Sequence, residues 1–511
     1  MRRAIHSLAV AGFLLAGWAS RDAFAQEATD NDARHNTEEP KEAEKPVPVL
    51  TPTPAPAVVE PAGPAGATPK PKFGDLTTSG YFRGGFGGSN QKGRMTCFSL
   101  PNPQGLVSKY RLGNECEVWG EYHLTSVVYV GDDGSVARLH FMPVAYIPNT
   151  FIGYTPTGVT SSDNGSPATG ATVAFPNLYA DITGISWLPG ATAWVGTRYY
   201  KREFIYISDF FYWNPSGVGG GIEDFALGKV WPSAPAALRD LTISYGLFAV
   251  DGQPVGSPQL PLQFGLGFRN DLQVRGLKPW QSGELQLGFQ YIANWSATAG
   301  TDAAGNPITD SMGNPITPTH GGWGVTGQFV QKLLGGDLKL AAQYGKGGGT
   351  GFGTLARFYY PDFSLNHDPA EWRFRAIGVM TIQPTEWLGA QLAGVFQHDN
   401  LGGSVPKSDW YSAGGRVSLG FTQHAKLLGE AGGDYADRNN GSVPQWLAKF
   451  TGAVAITTER GFYARPELRL FYTWARWNET ARMGSVDSYK LYTNTNLLTG
   501  SIFGLQAETW W

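Results

Sequence analysis

The sequence predicts an all-β protein, a closed antiparallel barrel that crosses a membrane, and three observations carry that expectation. Charged residues make up 16% and aromatic residues 13% of the 511, with 68 glycines, which suits one large all-β chain better than several ordinary soluble domains. From Phe73 onward no apolar run is long enough for a membrane helix, so a closed barrel is the only way this chain can span a bilayer. Segments with period-2 alternation put Arg, Glu, Gln and some aromatics on one face and aliphatic and aromatic side chains on the other.

Taken in order, the chain begins with Arg2 and Arg3 ahead of an apolar run from Leu8 to Ala19, followed by Ala23-Phe24-Ala25. That pattern reads as a signal peptide over residues 1–25, cleaved before Gln26. A membrane anchor is the competing reading, but the run falls short of the roughly 20 residues a spanning helix needs. Residues 26–72 start acidic (Glu27, Asp30, Asp32, Glu38, Glu39, Glu42, Glu44) and continue as TPTPAPAVVEPAGPAGATPKPK. With little to bury, this segment reads as a disordered periplasmic tether. A contact with peptidoglycan or a periplasmic protein is its functional alternative. Residues 73–511 form the barrel domain.

Within that domain the strand Ser79–Phe86 places Tyr81, Arg83 and Gly85 on one face, and Trp119, Glu121 and His123 share a face opposite Gly120, Tyr122 and Leu124. Between residues 284 and 293, Leu285, Leu287, Phe289, Tyr291 and Ala293 alternate with Glu284, Gln286 and Gln290. Near the end of the chain Leu468, Leu470, Tyr472 and Trp474 oppose Tyr463, Arg465, Glu467, Arg469 and Phe471, and in the last strand Phe503, Leu505, Ala507, Thr509 and Trp511 oppose Gln506, Glu508 and Trp510. A β-sandwich also alternates, but its outer face has no reason to mix Arg, Glu and Gln with aromatics, whereas a hydrated lumen does. The apolar face then meets lipid, with Trp511 on it at the barrel end. Gly/Pro/Asn/Thr-rich stretches at Asn149–Ala174, Ala299–His320 and Gly345–Gly353 read as extracellular loops.

The two cysteines, Cys97 and Cys116, reach an oxidising compartment behind a signal peptide, where a disulfide is the default. A closed loop of about 20 residues corresponds to roughly 3 kcal/mol in the chain-entropy model. A net charge of −3 without a Lys/Arg block argues against a nucleic-acid partner. No metal-ligand spacing, GxSxG, HExxH or P-loop occurs, so neither an enzyme nor a cofactor is indicated.

Several stretches carry a family resemblance: GYFRGGFG in the first strand, KYRLGNEC, WLPG followed by RYYKR and DFFYWN, GFYARPELRLFYTWARW, and the C-terminal IFGLQAETWW. From about residue 78 to the last, the chain resembles the maltoporins, sugar-specific channels of the bacterial outer membrane. The resemblance implies an eighteen-stranded barrel, a homotrimer in outer-membrane lipid, a disulfide in the first loop, and a third loop folded inward as a constriction. It also implies an aromatic slide at Tyr81, Trp119, Tyr463 and Trp510, and polar positions at Arg83, Arg111, Glu121, Arg202, Asp209 and, at the constriction, Phe211. The slide positions fall on the face that alternation assigns to the lumen.

Those residue types suit a sugar channel, because pyranose rings present apolar C–H faces that stack on aromatics and hydroxyl edges that bond to Arg, Glu and Asp. The expected function is passive diffusion of maltose, maltodextrin-like or other small sugars, with a general diffusion porin as the alternative. Departures from the family pattern are Phe204 and Asn214 in place of aspartates, Phe211 in place of a tyrosine, and Asp337 where a slide phenylalanine falls. Phe151 and Tyr154 are candidates for the slide residue lent by a neighbouring subunit.

Overall fold

The computed structural model describes residues 71–100, 109–148, 172–251, 266–294, 306, 321–351, 370–400, 402, 407–484, 486–487, 491–492 and 495–511. The expected signal peptide, nearly all of the tether, and Phe151 and Tyr154 lie outside them. Eighteen strands form one antiparallel sheet. Its first strand, Leu76–Ser89, pairs with the second, Glu117–Val130, on one side and with the last, Thr499–Trp510, on the other, which closes the barrel. Closure leaves no edge, so the spanning strands pair on both sides within the sheet.

The faces sort as a membrane barrel requires. In Glu467–Trp477, Leu470 is 62% exposed whereas its neighbour Arg469 is 1% exposed, and the alternation runs the whole strand. A soluble sheet would reverse that assignment. Phe86, Leu287, Phe289, Leu468, Phe503 and Leu505 are likewise exposed, while Arg83, Gln286, Gln506 and Glu508 are buried. Aromatic rings line the outer rims: Trp323, Tyr344 and Trp372 touch in sequence on three consecutive strands, and Trp511 lies against Tyr122 with ring centroids 6.1 Å apart. Such girdles settle at the lipid headgroup level. Gly80 makes the second of them possible, since a Cβ there would sit 2.3 Å from the Trp511 ring.

Most connections at the end where Leu76 and Trp511 lie are short, as at residues 281–282, 334–335 and 423–424; 227–241, with the one-turn helices Leu227–Val230 and Ala236–Arg239, is the longer one there. The connections at 149–171, 252–265, 295–321 and 348–371 join strands at the opposite end, which is the extracellular one in such barrels.

Two of the loops turn inward. The first, described over residues 90–100 and 109–116, carries the disulfide, with Cys97 and Cys116 Cα atoms 5.7 Å apart. The third contains a two-stranded hairpin, Glu203–Ile205 with Phe210–Trp213, joined by a 3-10 turn at Tyr206–Ser208. Ile205, Phe210, Tyr212 and Trp213 are buried; Phe210 meets Trp410 edge to face at 5.2 Å and Tyr212 donates to Gln328 at 2.6 Å. The two loops are stitched together by backbone bonds, Arg111 N–H to Ile207 O at 2.8 Å and Lys109 N–H to Ser208 O at 3.1 Å. The first loop is in turn anchored to the wall by Leu112 N–H to Glu430 at 2.9 Å and Gly113 N–H to Gln506 at 3.1 Å.

Gly113 has φ +59°, and a Cβ there would lie 2.4 Å from the Phe471 ring. Gly113→Ala is therefore expected to dislodge this loop at a cost of about 1–3 kcal/mol. Trypsin added to protein in liposomes should then cut after Lys109 and Arg111, with the fragments separating only on reduction because Cys97–Cys116 still links them. Resistance equal to that of the parent protein would show that the loop does not depend on this close approach.

Candidate functional site

Lumen-facing aromatics on successive strands form a path along one wall. Tyr81 on the first strand is the register partner of Trp510 on the last, with centroids 6.4 Å apart and planes 20° apart. Trp119 on the second strand is opposite Tyr146 on the third, in an edge contact at 6.2 Å. Tyr463, in the turn ahead of Glu467–Trp477, joins the path through Tyr206 of the inner hairpin, which meets Tyr463 at 5.4 Å and Trp510 at 6.2 Å, both edge to face. Between Trp119 and Tyr81 the path passes a cation, since the Arg83 guanidinium lies 5.5 Å from the Trp119 centroid. At Asp337 the lumen face carries a carboxylate, in line with Lys339 and Gln343.

Beside this path runs a connected set of ion pairs. Arg83 bonds Asp209 and Glu117, each at 2.8 Å, and lies 3.5 Å from Glu115. Lys109 reaches Glu115 at 2.9 Å and Glu117 at 2.8 Å. Arg111, only 3% exposed, pairs with Glu115 at 2.5 Å and Glu508 at 3.0 Å and also donates to the Tyr81 hydroxyl. Glu508 further receives Arg465 at 2.8 Å, Arg469 at 2.6 Å and the Tyr206 hydroxyl at 2.5 Å. Glu121 accepts the Trp119 indole N–H at 2.8 Å. Arg202 stands apart from the pairs, its guanidinium 3.5 Å from the Tyr199 centroid and 4.9 Å from that of Phe211.

The structure thus brings Tyr81, Trp510, Arg83, Arg111 and Asp209 into one connected group that Tyr463 joins through Tyr206. Trp119 and Glu121 adjoin it, and Arg202 with Phe211 sits on the hairpin. Phe204 stacks on Phe211 with centroids 4.9 Å apart, and Asn214 accepts from Ser216, which steadies the hairpin's return. Tyr146, Tyr199, Tyr206, Arg465 and Glu508 belong to the site but were not singled out from the sequence. Glu508 was legible by parity in the last strand. Tyr199 and Tyr206 lie in a loop without periodicity, and only the inward fold gives them a role.

Glu115 and Asp209, both on the inward loops, show how firmly the pairs are held. Burial alone would raise the Glu115 carboxyl, but Arg83, Lys109 and Arg111 outweigh it and hold it well below the usual carboxylate range. At Asp209 burial likewise raises, and Arg83, Arg111 and Lys109 again prevail, so the net shift is downward.

A model of the LamB porin family matches residues 76–511 of this chain. Among solved structures the chain is similar to OccAB1 of Acinetobacter baumannii (11% identity over 86% of this chain and 97% of that one, TM-score 0.42) and to OpdK of Pseudomonas aeruginosa (10% identity, 86% and 99%, TM-score 0.42). It is also similar to Wzi of Escherichia coli, described as a carbohydrate-binding β-barrel (10% identity, 85% and 84%, TM-score 0.38). At those scores the structural likenesses carry no inference; the family match does.

The lowered carboxylates fix the expected pH response. A carboxyl whose folded pKa lies below its unfolded value stabilises the folded loops fully above the unfolded value, and that contribution is lost as pH falls through the folded one. Single-channel conductance should therefore stay flat through neutral and mildly acidic pH and turn noisy only below the usual carboxylate range, as pH falls toward the lowered values of Glu115 and Asp209. A titration near pH 6 would place the controlling group elsewhere.

Proposed function

We propose, on the premise that this chain belongs to the LamB porin family, that its outer-membrane porin channel is selective for small carbohydrates. The observation that carries this reading is the placement of Trp510, Tyr81 and Trp119 on three neighbouring strands with their rings on the lumen face, extended by Tyr146 and, through Tyr206, by Tyr463. A sugar that stacks a C–H face on one ring can move to the next while its hydroxyls exchange partners on Glu121, Arg202 and Asp209. Arg83 and Arg111, committed to carboxylates, contribute charge and hydration to the same wall more than open donors. Binding in such a track is weak and repeated, as conduction requires.

Phe204 and Phe211 remove hydrogen-bonding groups from the lumen side of the hairpin, which penalises long hydroxyl-rich chains more than mono- or disaccharides. The same reading includes the homotrimer, the signal peptide over 1–25 and the tether over 26–72. A general diffusion pore is the second reading, favoured by the internal pairing of Arg83 and Arg111, which leaves fewer free donors for a ligand.

Sugar block of single-channel current separates the two readings. Trp119→Ala should weaken block by a disaccharide several-fold, equivalent to about 0.5–1.5 kcal/mol of lost stacking, while salt conductance changes little. Block that is absent in the parent protein would favour the general pore. A second titration, by chain length, should show half-block concentrations that stop falling beyond the disaccharide; affinity rising steadily to long maltodextrins would refute the short-sugar preference.

A further inference from the structure

Most basic side chains around the inner hairpin are matched by carboxylates. Besides the three cations of the first strand and first loop described above, Lys201 pairs with Asp224 at 2.6 Å, and Arg275 and Lys339 share Glu203 at 2.8 and 2.9 Å. Arg202 differs from these: among the described residues no carboxylate lies within ion-pair distance of its guanidinium. Aromatic rings hold it instead. Tyr199 packs at 3.5 Å from its central carbon and Phe211 at 4.9 Å, and Phe204 continues the stack beyond Phe211.

Rings against a guanidinium leave its N–H donors in the molecular plane, directed outward from the edge. That edge matches the two oxygens of a carboxylate, which it can bind bidentately. Of its ring neighbours only Tyr199 offers an acceptor, and one hydroxyl takes up only part of a five-donor fork. Glu121 is within electrostatic reach of Arg202 but is bonded to the Trp119 indole at 2.8 Å. The hairpin is two-sided: Ile205, Phe210 and Tyr212 are buried, whereas Arg202, Phe204 and Phe211 are only half-buried and border the lumen.

We infer that Arg202 is a subsite for a carboxylate-bearing sugar, a uronate, whose ring rides the aromatic path while its carboxylate engages the guanidinium edge. This rests on the sugar-channel reading and narrows its substrate class. A neutral sugar meets the same fork only with hydroxyls and gains a weaker bond. The carboxylate of Glu121 opposes the bound anion, which gives the assignment a second handle.

The test is block of single-channel current at neutral pH and constant ionic strength by glucuronate, glucose and acetate. Glucuronate should half-block at a concentration roughly 10-fold below that of glucose, the scale of one charge-assisted bond in a partly hydrated lumen. Arg202→Gln should bring the two sugars together by weakening glucuronate block far more than glucose block, because glucuronate loses a charge-assisted pair where glucose loses one hydroxyl partner among several. Glu121→Gln should strengthen glucuronate block. Glucuronate no better than glucose would overturn the assignment and leave the sugar-channel reading standing. Acetate blocking as well as glucuronate would overturn it too, by showing a site for small anions without sugar recognition. If neither sugar blocks, the sugar-channel reading itself fails.

Discussion

The inward loops stay inside this barrel because their charges find partners there. Glu115 has no exposed side-chain surface and faces three cations, Arg83, Lys109 and Arg111. Glu508 draws Arg111, Arg465 and Arg469 together from the first loop, a turn and the neighbouring strand. Burying these ions separately would cost several kcal/mol each, and removal of one partner from such a set costs about 3–5 kcal/mol. First loop, third loop and wall are thus bound into one unit. Backbone bonds from Lys109 and Arg111 to Ser208 and Ile207 fix the relative position of the loops, and the disulfide limits how far the first can depart.

That arrangement divides the lumen between structure and transport. Carboxylates such as Glu115 and Glu508, and cations such as Arg111 and Arg469, are spent on one another and contribute a hydrated, nearly neutral wall. What remains for a passing molecule is small: the ring faces of the slide, Glu121, Arg202, Asp337 and the partly exposed Asp209. A channel whose charges were all free would hold water and counter-ions too tightly to discriminate among sugars. One whose charges were all paired would offer hydroxyls little beyond the backbone.

Much of the fold was legible in the sequence, because lipid imposes a rule that each strand obeys separately. Leu468, Leu470, Tyr472 and Trp474 had to face away from Glu467 and Arg469 whatever the neighbouring strands were, and alternation alone sorted them. The strand count was not available that way, since the pattern in strands such as Thr192–Arg198 or Gly217–Ala226 is too short or too glycine-rich to stand out; it came from the family resemblance. The site divides along the same line. Tyr81, Trp119, Glu121 and Trp510 sit on strands, where parity gives the face, and Glu508 could have been added by the same logic. Tyr199 and Tyr206 sit where no period exists, and the link from Tyr206 to Tyr463, Trp510 and Glu508 depends on a loop folding back across the barrel.

The hairpin illustrates why a substitution is easier to read than its consequence. Phe204 and Phe211 are cross-strand partners in the hairpin, so two apolar residues that looked like independent losses of polarity act together as one stacked pair. Their stack reaches Arg202 and thence Tyr199, so removing polar groups from the constriction does not make it inert. It leaves a cation with aromatic neighbours and, among the described residues, no carboxylate in ion-pair contact, next to a wall where most cations have one. Selectivity in such a channel follows less from the number of charges in the lumen than from which of them the fold leaves unspent.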